Sequence, residues 1–114
     1  MKGVFVELPA FARSRSTYLD DHAYLALQNL LMDHPDAGDL IPEAGGLRKL
    51  RFRDERRGKG KSGGLRVIYY WWVTGFQFWL FTVYDKNEIA DLTPRERRAL
   101  KAMIKAELEA RRNE

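Results

Sequence analysis

The sequence predicts an α+β fold with elements in the order β-α-α-β-β-β-α, and three observations lead there. First, Gly58 to Lys86 holds two runs rich in Val, Ile, Tyr, Trp and Phe on either side of a turn near Thr74-Gly75. Such residues suit a pleated surface, and a Gly-containing turn between them marks a long antiparallel hairpin. Second, helical patterning precedes this hairpin, with Ala23, Tyr24, Leu27, Leu30 and Leu31 on one helical face. Third, Thr93, Pro94 and Glu96 form a capping box ahead of a Lys/Arg/Ala/Leu segment that reaches the end of the chain.

Taken in order, Val4 to Leu8 is a short strand closed by Pro9, which cannot extend a ladder from an interior position. Phe11 to Leu19 is weakly helical. Asp20 is a good N-cap for a second helix through about Asp33, ended by His34-Pro35. Asp36 to Gly46, with Pro42 and several small residues, reads as a loop. The strand Leu47 to Arg53 alternates, so that Leu47, Lys49, Arg51 and Arg53 share one side while Arg48, Leu50 and Phe52 share the other. After a loop over Asp54 to Gly64 comes the hairpin, whose continuous apolar runs call for cover on both faces. In the last helix Leu100, Met103, Ile104 and Leu108 line one face, opposite Arg97, Arg98, Lys101 and Lys105.

A chain of 114 residues is expected to form one domain over 1–114 and to bury a sufficient core. The absence of Cys excludes disulfides and thiolate metal sites. His22 and His34 lack metal-ligand spacing and lie far in sequence from the hairpin, so no metal or cofactor is expected. The opening MKGVFVELPAF is too short an apolar run for a signal peptide, and no stretch approaches the roughly 18 apolar residues of a membrane span. A soluble, cytoplasmic protein without membrane association is expected.

Charge is the most informative feature of the composition. Between Arg48 and Arg66 nine basic residues (Arg48, Lys49, Arg51, Arg53, Arg56, Arg57, Lys59, Lys61 and Arg66) face two acids, a net of +7. With the whole chain at +4, the remainder carries −3. A near-neutral body with one concentrated basic segment is the footprint of a polyanion site. The run Gly58 to Gly64 lacks P-loop spacing and leads into a strand, so it reads as a basic flap; no Cys nucleophile is present. What remains is cations and tyrosines. Cleavage of RNA by its own 2′-hydroxyl requires removal of the 2′ proton, neutralisation of the phosphorane and protonation of the departing 5′ oxygen. Arg and Lys supply the charge, and a Lys or Tyr can move protons, without a metal. A three-residue hairpin loop over Thr74 to Phe76 would pair Val73 with Gln77 and set Arg66 opposite Tyr84, on the face of Thr82 and Lys86. A two-residue loop would set Arg66 opposite Val83.

The blocks LRKLRF, GKGKSGGLRVIYYWW, FWLFTVYDK and DLTP, with the opening VFVEL, resemble the RelE/ParE superfamily of type II toxins, and specifically its HigB branch, over nearly the whole chain. The resemblance implies a RelE-like fold and a ribosome-dependent endoribonuclease that cuts messenger RNA during translation. It also implies inhibition by a HigA-like helix-turn-helix antitoxin. Arg66 matches the family's arginine at the start of the central strand; Lys49 and Arg51 fall near its basic strand positions, and Lys59 and Lys61 near its loop lysines. Lys86 stands where a basic residue follows the last strand. Relatives often carry a tyrosine several residues beyond that cation, whereas Asn87 to Leu92 contains none, which leaves Tyr84 as the substitute. The expected catalytic set is therefore Arg66, Lys86 and Tyr84, with Lys49, Arg51, Arg56, Arg57, Lys59 and Lys61 binding substrate.

Two other readings remain. The ParE branch shares the fold but inhibits DNA gyrase by binding, which calls for no basic catalytic cluster. A noncatalytic nucleic-acid or protein-binding module would use the aromatic strands as its recognition surface.

Overall fold

The computed structural model describes residues 4–53, 64–88 and 92–112. Its elements are β1 (Val4–Glu7), α1 (Pro9–Tyr18), α2 (Asp21–Asp33), β2 (Asp39–Leu40), β3 (Arg48–Phe52), β4 (Leu65–Trp72), β5 (Gln77–Asp85) and α3 (Pro94–Arg112), with a 3-10 turn at Val73–Gly75 joining β4 to β5. The sheet order is β1-β5-β4-β3-β2, in which β1 runs parallel to β5 and every other pair is antiparallel.

Local chemistry sets the element ends. Pro9 ends the first strand and opens α1, where its missing N–H costs nothing, while the Leu8 N–H still bonds Leu80 O on the sheet at 3.0 Å. Asp20 caps α2 by accepting from the Ala23 N–H at 2.7 Å. The reciprocal bonds at the start of α3, Thr93 N–H to Glu96 Oε1 at 2.8 Å and Glu96 N–H to Thr93 Oγ1 at 3.1 Å, are the expected capping box.

Two apolar layers sandwich the sheet. On one face Phe11 of α1 and Ala23, Tyr24, Leu27 and Leu31 of α2 pack against Leu50, Phe52, Val67, Tyr69, Phe78 and Leu80. On the other, Ile104 of α3 joins Ile41, Leu47, Ile68, Trp79, Phe81 and Tyr84. The double cover explains why β4 and β5 read as unbroken apolar runs rather than alternating ones. At the far end of α3 the Arg111 guanidinium lies over the rings of Trp79 (4.9 Å) and Trp72 (5.5 Å), so the helix is held along its length.

Three local details differ from the sequence reading. The loop between α2 and β3 contains a two-residue edge strand, β2, paired to β3 through Asp39↔Lys49 and Leu40↔Arg48. It is anchored by Tyr69, whose buried hydroxyl accepts from the Gly38 N–H (3.0 Å) and donates to Pro35 O (2.7 Å). The hairpin loop has four residues, because Trp72 pairs with Gln77. Trp72 folds over Gly75, where an added Cβ would meet its ring, and Phe76 closes the turn in the left-handed region at φ 52°. A bulge at Phe81 then returns the register, so Arg66 does stand opposite Tyr84. Lastly, Met103 is 46% exposed and lies at the border of the buried stripe of α3.

Candidate functional site

The pairing of β3, β4 and β5 aligns the expected site. Arg51 is opposite Arg66, and Arg66 is opposite Tyr84, so the three form one row across the central strands. Side chains directly opposite on an antiparallel pair share a face with Cβ atoms about 5 Å apart. Leu50 and Phe52 belong to the α1/α2 layer and Tyr84 to the α3 layer, which places this row on the α3 side. The next row along carries Lys49, opposite Ile68. Alternation in β3 thus puts Lys49 and Arg51 on the cationic side, as expected.

The members of the row differ in access. Arg51 is exposed, Arg66 and Lys49 are half-buried, and Arg66 Nη1 donates to Leu65 O at 3.3 Å. Tyr84 is only 4% exposed, packed in the cluster beneath α3. Lys86 follows β5 in an exposed turn, its N–H bonded to Gly64 O at 3.3 Å, which ties it to the residue that enters β4. Asp85 lies opposite Leu65, and its carboxylate accepts from the Asn87 N–H at 2.8 Å, shaping that turn. Arg56, Arg57, Lys59 and Lys61 lie outside the described residues.

Beside the row is a cleft of about 240 Å³. It is lined by Lys49 and Arg51 of β3, Asp39 and Leu40 of β2, Ile41 and Pro42 of the loop that follows, and Leu92 just before α3 and Arg97 within it. Arg97 was expected on the solvated face of the last helix. It is half-buried instead, and among the described residues no carboxylate lies within ion-pair range of its side chain. The sequence did hold a signal: Arg97, Leu100, Ile104, Leu108 and Arg111 recur at helical spacing, so Arg97 heads the very stripe that faces the sheet.

Like-charged residues directly opposite on neighbouring strands are an unfavourable pair, and Arg97 lines the cleft that Arg51 shares. An anion seated among them reverses the sign, and Arg is the side chain best shaped to grip a phosphate through paired N–H donors. Among the described residues no group of three or more His, Asp or Glu could hold a metal. Nor is any described helix long and apolar enough to cross a membrane.

No protein-family model matches the chain. Among solved structures it is similar to the E. coli toxin RelE, determined as a double arginine-to-alanine mutant in the free state, with a TM-score of 0.55 and 12% identity. The match covers 79% of this chain and 90% of that one. The chain therefore has an α+β fold of the RelE type.

Proposed function

We propose that the protein is the toxin of a type II toxin-antitoxin system, of the HigB-like kind, acting in the cytoplasm as a ribosome-dependent, metal-independent endoribonuclease on messenger RNA. The observation that carries this reading is the Arg51-Arg66-Tyr84 row, with Lys49 in the adjoining row on the same face. The RelE-type fold supports it. A gyrase inhibitor acting by binding has no use for two arginines directly opposite each other beside a cationic cleft.

In the reaction the 2′-oxygen attacks the adjacent phosphorus, the bond to the 5′-oxygen breaks, and a 2′,3′-cyclic phosphate and a free 5′-hydroxyl result. Arg66, aided by Arg51, meets the charge that builds on the non-bridging oxygens. Lys86 and Tyr84 serve the two proton transfers, one taking the 2′ proton and the other supplying the leaving oxygen. Lys86 is open to solvent, whereas Tyr84 offers a substrate only the 4% of its surface left exposed. A HigA-like antitoxin, encoded with the toxin, holds it inactive.

The test is translation in a cell-free extract with mapping of message 5′ ends. New ends inside translated frames are expected with the wild-type chain. Arg66→Ala should reduce their rate of appearance by about 10²–10³, the usual loss of one preorganised charge-stabilising donor. Intact messages accompanied by blocked DNA supercoiling would instead support the gyrase reading.

A further inference from the structure

The cleft next to the row is a place for a second phosphate, and Arg97 is the residue that defines it. Its lining shares Arg51 with the row, so the two sites are continuous. Lys49 lies two residues before Arg51 on β3, which sets the rows about 6.6–6.8 Å apart along the strand. That is close to the separation of successive phosphates in an extended single strand. Arg97 comes from α3, half-buried, and the cleft presents three cations to one carboxylate, Asp39. Partial burial of a guanidinium with no described carboxylate paired to it is costly, and an anion in the cleft would offset that cost.

We propose that Arg97 is a substrate-binding residue: with Lys49 and Arg51 it holds the phosphate next to the scissile one, so that the RNA strand crosses the sheet face against α3. This rests on the nuclease reading. It assigns α3 a role as one wall of the RNA path, in addition to covering the apolar layer. Arg97 contributes grip and leaves the chemical step to the row.

The inference is tested with the full chain, ribosome-bound messages and single-turnover cleavage, using messages in which one phosphate flanking the cut is replaced by a neutral methylphosphonate. For wild type, one of the two flanking replacements should raise the half-saturating protein concentration about tenfold or more, with the saturating rate unchanged. Arg97→Met, which keeps the aliphatic stem, should show part of that loss on the natural message and be less sensitive to the replacement than wild type, Lys49 and Arg51 carrying the remainder. Arg97→Lys should recover part of the affinity. If Arg97→Met remains as sensitive to the replacement as wild type, or binds the natural message as tightly, the inference is overturned while the nuclease reading stands. If wild type does not cut, or Arg66→Ala cuts at the wild-type rate, the nuclease reading fails and takes this inference with it.

Discussion

Arg51 and Arg66 are where function and stability pull apart. Directly opposed like charges weaken a strand pair, so relieving one should not harm the fold. Arg51→Met is expected to melt at or above the wild-type temperature while cutting messages more slowly; a variant that loses stability and keeps its rate would make Arg51 an ordinary strand residue. Tyr84 offers the converse comparison. Tyr84→Phe keeps the ring that fills the α3 layer, so the fold should persist, and if the hydroxyl moves a proton the saturating rate should fall by about 10²–10⁴. An unchanged rate would reduce Tyr84 to packing and leave Lys86 as the proton carrier. At this scale the placement of Lys49 and Arg51 on one face was legible, because a period of two fixes which residues of a strand share a face, and the register set Arg66 opposite Tyr84 as expected. Arg97 was not assigned: an arginine counts as solvated by type, although its spacing from Leu100 and Ile104 placed it on the inward stripe.

Among the elements, α3 and α2 carry the sharpest expectations. The capping box satisfies N–H groups that the first turn of α3 would otherwise leave to water, so Thr93→Ala should cost about 1 kcal/mol in thermal or denaturant unfolding. Such a loss also loosens the helix turn from which Arg97 reaches the cleft. On the opposite face the Tyr24 hydroxyl donates to Glu7 Oε2 at 2.9 Å, joining α2 to β1, with Arg15 over its ring at 4.1 Å. Burial, reinforced by the Glu7 carboxylate, pushes the Tyr24 phenol well above its ordinary value of 10.0. A group whose pKa is raised on folding stabilises the fold fully below its unfolded value, and that contribution is lost as pH climbs through the folded one. Stability should therefore decline as pH rises past about 10 in wild type and decline less steeply in Tyr24→Phe, measured by denaturant titration at several alkaline pH values. Helices and strands were legible because caps, prolines and apolar periodicity act locally. The hairpin register was less so, since the four-residue turn and the Phe81 bulge shift it in opposite senses and only the strand pairing reveals both.

For the whole molecule, the concentration of charge matters more than its sum. The segment 48–66 holds +7 against −3 elsewhere, so attraction to RNA should be strong, local and sensitive to salt. Its strand residues Lys49, Arg51 and Arg66 lie on the α3 side of the sheet, and α3 adds Arg97 from a distant part of the chain, a convergence that only the folded sheet creates. Burial on both faces holds β4 and β5, and so the row, between two packed layers. The central claim, that these charges form one site gripping one strand, is tested most directly by a double-mutant cycle on message cleavage. Arg51→Met, Arg66→Ala and the double variant are compared with wild type at fixed ionic strength. If both arginines serve the same phosphate, the combined loss should fall well short of the product of the two single losses. Losses that multiply, or a single variant as active as wild type, would contradict a shared site.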